Sequence, residues 1–327
     1  MVVDQDLNRR IDALKPAFSG LLHTNQQALI VCLKCYEEPF SLRDHSVRIP
    51  VLTKRGTWKR TFHKDLPKVS EGRRREWSVF HGYLVAMSLS RTKAEISETL
   101  FRPLSHFRHL RHLSLYKCRL EQLPESIGQL KNLKTLSLFW NRLTTLPESI
   151  GQLKNLTYLS LRSNKLEALP VSIGHLTNLR ILNLLANHIS TLPESIGHLK
   201  NLKRLHLEGN QISTLPKSFG QLKSLEGLFL YENMLSTLPE SIGQLKNLIF
   251  LDLEKNFLST LPESIGQLKN LEELHLRKNR LTTLPKSIEQ LKSLKELNLR
   301  WNKLSTLPET LENWIRELKK KDCTVWR

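Results

Sequence analysis

Cysteine and histidine side chains near the start of the chain are of the types that bind metals or do redox chemistry. Cys32 and Cys35 form a C-x-x-C pair, and His45 and His63 follow downstream. Zinc fingers need a second ligand pair at a characteristic separation, which this spacing does not supply. We interpret the two thiols as one face of a helix. The sequence therefore predicts no metal site and no cofactor.

Motifs for catalysis are missing as well. The sequence has no P-loop, no G-x-G-x-x-G after a strand, no G-x-S-x-G, no H-E-x-x-H and no kinase signature. Its twelve histidines are scattered. Cys118 occupies a repeat position where burial is expected, and free cysteine is commonly buried. We therefore expect a protein that is not an enzyme and has no catalytic residue.

A 23-residue repeat occupies residues 110–316 without insertion, reading L-x-x-L-x-L-x-x-N-x-L-x-x-L-P-x-S-I-G-x-L-x-x. Its nine copies begin at Leu110, Leu133, Leu156, Leu179, Leu202, Leu225, Leu248, Leu271 and Leu294. A fixed period of about 20–29 residues indicates a stacked solenoid. We predict an α/β architecture, with a parallel sheet on one face and short helical or 3-10 returns on the other.

The constant positions of the repeat predict its frame. Alternate residues of a strand face opposite sides, so the leucines of L-x-L should face the core. A buried asparagine must be hydrogen-bonded, which predicts a ladder. This ladder should comprise Asn141, Asn164, Asn187, Asn210, Asn233, Asn256, Asn279 and Asn302. Proline suits the first helical position of each return, and glycine suits its end.

The two ends of the chain differ from the repeat. Residues 1–83 do not repeat, and apolar spacing between residues 11 and 33 predicts two helices, so we expect a basic, mainly helical cap or small domain. Within it, the segment from Val47 to Lys59 is a candidate for extended structure. Residues 84–109 read as an irregular first repeat. Leu307, Leu311, Trp314, Ile315 and Leu318 have helical spacing, which predicts a cap helix and tail over residues 307–327.

The repeat L-P-E-S-I-G-Q-L-K-N-L-x-x-L-x-L-x-x-N-x-L resembles the leucine-rich-repeat superfamily, and is most similar to its bacterial members. The resemblance implies a curved horseshoe that binds proteins with its concave sheet. Some bacterial relatives are effectors delivered into host cells, and that role stays open. The ubiquitin-ligase domain that some effectors carry is not expected, because the chain ends just beyond the predicted cap helix.

Positions 3, 5 and 7 of each copy, counted from its first leucine, should face away from the core, and their residues differ from copy to copy. Aromatic side chains and arginine are common at binding hot spots, and contiguous apolar surface usually marks interaction. We predict partner binding by Tyr116, Phe139, Trp140, Tyr158, Arg162, Ile181, Leu185, Phe229, Tyr231 and Phe250. The alternative is that these aromatic rings merely stack across the sheet.

Charge suggests the character of the partner. The chain has a formal charge of +19, and residues 54–75 hold nine basic residues against two acidic ones. At positions 2, 3, 5, 7 and 8, copies one to four carry a net charge of +5 and copies five to eight a net charge of −2. We expect a protein partner of unknown identity. The alternative is nucleic acid or anionic membrane, bound by residues 54–75 and the basic half of the sheet.

Localisation signals are sparse. No apolar run is long enough for a transmembrane helix, and the N-terminus lacks the apolar stretch of a signal peptide. Four cysteines are too few for a disulfide scaffold, which favours a reducing compartment. We expect a cytoplasmic monomer, or one acting in a host cell if it is delivered as an effector.

Overall fold

The structure is a computed structural model that describes part of the chain. It gives the backbone of residues 48–52, 58–62, 76–80 and 83–88, and residues 110–304 and 306–327 in full. The chain forms two compact units, residues 1–159 and residues 160–327. Cys32, Cys35, His45 and His63 lie outside the described residues, as do the two helices expected between residues 11 and 33.

The first unit changes from antiparallel to parallel strand pairing. Its strands are β1 (Arg48–Leu52), β2 (Trp58–Phe62), β3 (Glu76–Phe80), β4 (Tyr83–Ser88), β5 (His112–Ser114) and β6 (Thr135–Ser137). β1 pairs with β2 and β3, and β3 pairs with β4, all antiparallel. β4 then runs parallel to β5, with Met87 opposite Leu113. Met87 thus takes the place of a repeat leucine within residues 84–109.

The described parts of residues 1–83 are strands. Extended structure was expected over Val47 to Lys59, where β1 and the start of β2 lie. Val51, Trp58, Thr61 and Phe62 are β-branched or aromatic residues, which fit a pleated surface better than a helix. The mainly helical cap or small domain rests on residues 11–33, which lie outside the described residues, and stays a prediction.

The second unit continues the parallel pattern. Strand β7 (Tyr158–Ser160) crosses the boundary between the units. It is followed by β8 (Ile181–Asn183), β9 (Arg204–His206), β10 (Gly227–Phe229), β11 (Phe250–Asp252), β12 (Glu273–His275) and β13 (Glu296–Asn298). Neighbouring strands from β8 to β13 align leucine with leucine, as in Leu205, Leu228 and Leu251. The repeat length therefore sets the register of this sheet.

The C-terminal end of the second unit is closed by helix α1 (Glu309–Lys320) and strand β14 (Thr324–Trp326). Leu311, Trp314, Ile315 and Leu318 are the buried residues of α1. β14 extends the sheet in parallel, with Val325 opposite Leu297. The last repeat is thus covered by an amphipathic helix and a strand formed by the tail.

The first eight repeats each return through a five-residue 3-10 helix. These helices are Glu125–Gln129, Glu148–Gln152, Val171–His175, Glu194–His198, Lys217–Gln221, Glu240–Gln244, Glu263–Gln267 and Lys286–Gln290. Proline precedes each one with extended backbone, so it caps the helix rather than occupying its first turn. The predicted α/β solenoid with parallel strands and short returns is confirmed.

The glycine of the return has a role other than the predicted one. Gly128 lies inside its 3-10 helix, not at a left-handed cap after it. A Cβ atom built on Gly128 would lie 2.8 Å from the Cβ of Ser149 in the next repeat. Glycine is needed because successive returns approach each other closely, and the expectation of a helix-ending glycine is wrong.

The asparagines link each repeat to the one before it. Asn187 Nδ2 donates to the Leu184 carbonyl at 2.9 Å and to the Leu161 carbonyl of the preceding repeat at 3.0 Å. Its Oδ1 accepts from the Leu166 N–H at 3.0 Å. The same three bonds recur at Asn141, Asn210, Asn233, Asn256, Asn279 and Asn302. Buried backbone groups that no sheet bond reaches are satisfied in this way.

Glutamates link the returns in the opposite direction. The Glu194 carboxylate accepts from the backbone N–H of Ser218 in the next repeat at 2.9 Å. Hydrogen bonds from Ser218 hold the pKa of Glu194 below its usual value. Ser149, Ser264 and Ser287 receive the same contact from the glutamate of the preceding repeat. The frame is therefore bonded between repeats on both the sheet side and the return side.

Candidate functional site

Side chains at positions 3, 5 and 7, flanked by position 8, form one face of each unit's sheet, which we call the variable face. In β9, Arg204 and His206 lie on this face, whereas Leu205 between them is fully buried. The alternation follows from strand geometry. Side chains that differ between copies therefore lie beside one another on a surface that the leucine core supports from behind.

In the first unit, three rings of the variable face form an aromatic cluster: Tyr116, Phe139 and Trp140. The Tyr116 and Phe139 rings stack with centroids 5.1 Å apart. The Trp140 ring packs against the edge of Tyr116 at 6.3 Å and against Phe139 at 5.8 Å. These distances are typical of favourable aromatic pairs. The predicted neighbours do meet, and they form a single group.

The three rings of this cluster differ in how much of their surface is exposed to solvent. Tyr116 and Phe139 are each only 8% exposed, whereas Trp140 is 51% exposed. Tyr116 and Phe139 were predicted as contact residues, but little of their surface is free for a partner. Stacking across the sheet, the alternative reading, therefore describes these two rings, while Trp140 is the large apolar surface that the cluster presents.

The backbone explains why Trp140 protrudes. It occupies position 8 of its copy with a left-handed φ of +59°. Residues at position 8 have positive φ in every copy: Lys117, Trp140, Ser163, Ala186, Gly209, Glu232, Lys255, Lys278 and Trp301. Such a backbone favours glycine, but glycine occurs only at Gly209. The turn swings the side chain out at the end of the strand.

Basic residues occur in the two copies that hold the aromatic cluster. Lys117 Nζ lies 4.5 Å from the centre of the Trp140 ring, which is cation–π geometry. Burial, aided by the charges of Lys134 and Arg111, lowers the pKa of His112. No acidic residue occupies positions 2, 3, 5, 7 or 8 of the first two copies. This surface therefore suits a partner that offers apolar and acidic groups.

The other predicted contact residues of copies three and four are half-buried. Tyr158 is half-buried and belongs to the first unit, whereas Arg162, Ile181 and Leu185 are half-buried and belong to the second. They face the same way within their own repeats. Each unit therefore has its own set of predicted contact residues.

In the second unit, four rings form a column across β9 to β12. His206 and Phe229 stack at 4.2 Å, Phe229 and Phe250 at 4.7 Å, and Phe250 meets the edge of His275 at 5.2 Å. Position 3 of the sixth copy is Gly227, and a Cβ built there would lie 3.0 Å from the Phe229 ring. Phe229 thus folds over Gly227 to reach its neighbours. The sequence placed the two histidines in separate repeats but gave no sign that rings connect them.

Carboxylates lie along this ring column. Burial, aided by the charges of Glu254 and Glu208, raises the pKa of Asp252 to about 6, against the opposing effects of the Glu254 N–H and His275. One oxygen of Glu208 is buried without a hydrogen-bond partner among the described residues. A second acidic group, Glu273 and Glu296 beside His275, has the side chains to hold a metal ion. The second unit therefore presents a half-buried acidic surface, unlike the first.

Tyr231 and Trp301 complete the aromatic residues of the second unit's face. Tyr231, which the sequence predicted, is half-buried beneath Lys255 Nζ at 4.8 Å. Trp301 is 59% exposed, and Lys278 Nζ lies 4.4 Å from its ring centre. Trp301 was not among the predicted residues. Its position, the same as that of Trp140, is the signal that could have found it.

Much of the basic segment 54–75 lies outside the described residues, and Trp58–Phe62 within it is a strand. Binding of nucleic acid or membrane by this segment therefore stays a prediction. Among the helices of the described residues, none has the length and apolar content that a membrane span requires.

Comparisons with known proteins agree with the repeat architecture. A family model described as "Leucine-rich repeat region" matches residues 82–180, 152–233, 171–252 and 228–320. Comparison with curated proteins finds no match.

Three solved structures illustrate the likeness. The plant peptide hormone receptor RGFR1, in complex with RGF2, is 31% identical with a TM-score of 0.59, over 68% of this chain and 36% of the receptor chain. The leucine-rich-repeat ectodomain of the Arabidopsis thaliana receptor kinase GASSHO1/SCHENGEN3, in complex with CASPARIAN STRIP INTEGRITY FACTOR 2, is 35% identical with a TM-score of 0.55. The match covers 63% of this chain and 26% of the ectodomain chain. The leucine-rich repeats of FLRT2, in an octameric complex with Latrophilin 3 and Unc5D, are 25% identical with a TM-score of 0.57. The match covers 67% of this chain and 69% of the FLRT2 chain. The chain thus spans about a third of the length of the first of these receptors.

Proposed function

Because the chain belongs to the leucine-rich-repeat family, we propose that it is a non-enzymatic scaffold or adaptor that binds a protein partner through the variable face. The observation that carries the proposal is Trp140, half exposed at the end of its strand while its two neighbouring rings are buried beneath it. Tryptophan is enriched at binding hot spots because one side chain supplies a large apolar surface of fixed shape.

The related structures support a protein as the partner. RGFR1 was solved with RGF2, and the GASSHO1/SCHENGEN3 ectodomain with CASPARIAN STRIP INTEGRITY FACTOR 2. The FLRT2 repeats were solved in a complex with two other proteins. Their partners are not carried over, because this chain differs from them at most positions and matches only part of the two receptors.

The variable faces of the two units differ in charge. The first unit offers Trp140 among Lys117, Lys134 and Arg111, whereas the second offers half-buried carboxylates around its ring column. An acidic, apolar surface on a partner would match the first unit, and a basic surface would match the second. Such complementarity governs specificity and association rate more than affinity. We also propose that the protein is a monomer that acts in the cytoplasm of a bacterium, or in a host cell if it is delivered as an effector.

Site-specific photocrosslinking tests the proposal. A photoreactive phenylalanine analogue would replace Thr135, at position 3 of the copy that holds Trp140, and in a separate variant Lys131, which is exposed just after the preceding return. We expect Thr135 to crosslink a discrete protein in the native cell extract, and Lys131 not to. Identical adducts at both sites, or none at Thr135, would contradict binding through the variable face.

Salt dependence separates the protein partner from the polyanion alternative. Binding centred on an aromatic anchor should change little between about 50 and 200 mM salt, whereas binding to phosphates should fall steeply. The measurement is the yield of the Thr135 adduct across this range, with and without nuclease treatment of the extract. A yield that collapses with salt and with nuclease would favour nucleic acid.

A further inference from the structure

Three side chains on β12 and β13 converge on the variable face of the second unit. Glu273 and His275 are two residues apart on β12 and so point to the same side. Glu296 lies directly opposite Glu273 on β13. His275 Nε2 is 2.9 Å from a Glu296 oxygen and 3.8 Å from a Glu273 oxygen. One ligand atom from each of the three residues lies within 4.8 Å of the others.

The His275 nitrogen is close to oxygen without being hydrogen-bonded. Its Nε2 is buried and has no hydrogen-bond partner among the described residues, despite the 2.9 Å distance to Glu296. A ring nitrogen bonds along one direction in the ring plane, so this oxygen must lie off that direction. The hydrogen-bonding direction of Nε2 is therefore used by neither carboxylate.

A second histidine on the same face provides the contrast. His206 Nδ1 and Glu208 Oε1 are 3.0 Å apart in hydrogen-bonding geometry. That pair satisfies the imidazole with one carboxylate, and no third metal-ligating group joins it among the described residues. The two histidines occupy the same repeat position, so the register of the sheet does not explain the difference. It lies in the second carboxylate that Glu296 supplies beside His275.

The frame would hold this group in place for an ion. The edge of the His275 ring packs on Phe250, and adjacent strands fix the spacing of the two glutamates. Zinc binds imidazole nitrogen and carboxylate oxygen at about 2.0–2.2 Å, which places tetrahedral ligand atoms roughly 3.4 Å from one another. The distances of 2.9 and 3.8 Å bracket this value. Small side-chain rotations would therefore suffice.

We propose that Glu273, His275 and Glu296 bind one divalent transition-metal ion of the zinc type. The two carboxylates balance its charge, and the neutral imidazole supplies the nitrogen that hard cations such as Mg²⁺ do not prefer. Three protein ligands leave the fourth position for water or for a side chain of a bound protein. The sequence predicted no metal because the ligands come from two repeats, where no local motif joins them. This inference does not depend on the proposed protein binding.

Zinc titration calorimetry on the full chain tests the proposal. Protein stripped with chelator and dialysed would be titrated with ZnCl₂ in a background that carries Cys32→Ser and Cys35→Ser, because that thiol pair is a separate set of ligands. We expect one zinc per chain. His275→Ala should weaken binding at least about tenfold, since even losing a group that only supports a ligand costs about 10–100-fold. His206→Ala is the matched control and should leave the affinity unchanged.

Glu296→Gln provides a second variant that keeps the size of the side chain. It should also weaken zinc binding, and urea unfolding of each variant without metal would check that the fold is retained. Zinc should in addition raise the unfolding midpoint of the background protein and of His206→Ala, but not of His275→Ala. Absence of a stoichiometric site, or equal zinc binding by His275→Ala and His206→Ala, would overturn the proposal.

Discussion

The aromatic groups of the two units are built from similar residues but present different surfaces. In the first unit, Tyr116 and Phe139 are buried and support an exposed Trp140 beside Lys117. In the second, His206, Phe229, Phe250 and His275 are all half-buried and stack in a column. The first group offers one large apolar side chain, whereas the second offers ring edges and the carboxylates beside them.

The backbone position of each ring accounts for this difference. Position 5 is the last residue of the strand and position 7 lies two residues beyond it, and the rings at these positions are at least half-buried. Position 8 lies in the left-handed turn after the strand, so Trp140 extends past its neighbours. We therefore expect an aromatic residue at position 3, 5 or 7 to stabilise the sheet, and one at position 8 to be available for contact with a partner. The predictions below test this distinction.

The largest effect should come from removing a ring of the column. Phe229→Ala removes the ring that stacks on both His206 and Phe250, so we expect a loss of about 2–3 kcal/mol in the free energy of unfolding. Trp140→Ala removes a ring that is 51% exposed and should cost less than about 1 kcal/mol. Urea unfolding measures both. Equal losses would show that the two aromatic groups do not differ in this way.

The carboxylate beside the column predicts a pH-dependent stability. Asp252 has a pKa of about 6 in the folded protein and an ordinary value of 3.8. The folded state therefore binds this proton more tightly, and the free energy of unfolding falls as the pH rises from about 4 to about 6. Asp252→Asn cannot ionise, so it should be more stable than the parent above pH 6, by up to about 2 kcal/mol, and equal to it near pH 4.

Unfolding at both pH values, with chelator present, measures this effect. The chelator removes any cation held by neighbouring carboxylates. A stability difference between Asp252→Asn and the parent that is the same at both pH values would indicate that packing, rather than ionisation, distinguishes the two side chains.

Gly227→Ala should have a smaller effect on the column. The new Cβ would lie 3.0 Å from the Phe229 ring, so the ring must shift by a few tenths of an ångström. We expect a loss of about 1 kcal/mol, within the range of overpacking. In the double variant with Phe229→Ala the alanine should cost nothing, because the ring that it meets is gone. An additive double variant would contradict the contact.

The smallest effect should come from the lysine over Trp140. Lys117→Met keeps the length of the side chain and removes its charge, so only the cation–π contact is lost, about 0.5–1 kcal/mol at an exposed site. Lys278→Met makes the matching change beside Trp301 and should cost a similar amount, unless Arg277, 4.0 Å from the Trp301 ring, compensates. Urea unfolding of the two variants decides between these outcomes.

Much of the frame could be predicted from the sequence because the same frame residues recur in each repeat. The leucine spacing predicts the parallel sheet, and nine copies make that period unmistakable. The role of Gly128 was misjudged because its reason lies in the next return, not in its own. A pattern read along one repeat shows which positions are constant but not which neighbour makes them so.

The candidate site was predictable only in part. The varying positions locate the face, but they do not show that Phe139 is buried while Trp140 is exposed, since that depends on the turn after the strand. Contacts between repeats were harder still. His206 and His275 are joined through two phenylalanine rings, and Glu296 reaches His275 from the next strand.

The measurement that tests the account most directly is partner affinity with each exposed tryptophan removed in turn. Trp140 and Trp301 occupy the same turn position, are 51% and 59% exposed, and each lies beneath a lysine. With the protein captured at Thr135 as ligand, Trp140→Ala should lower affinity at least tenfold, in line with a hot spot of about 2 kcal/mol, while Trp301→Ala stays within about threefold of the parent. Full affinity in Trp140→Ala would contradict the claim that this side chain anchors the partner.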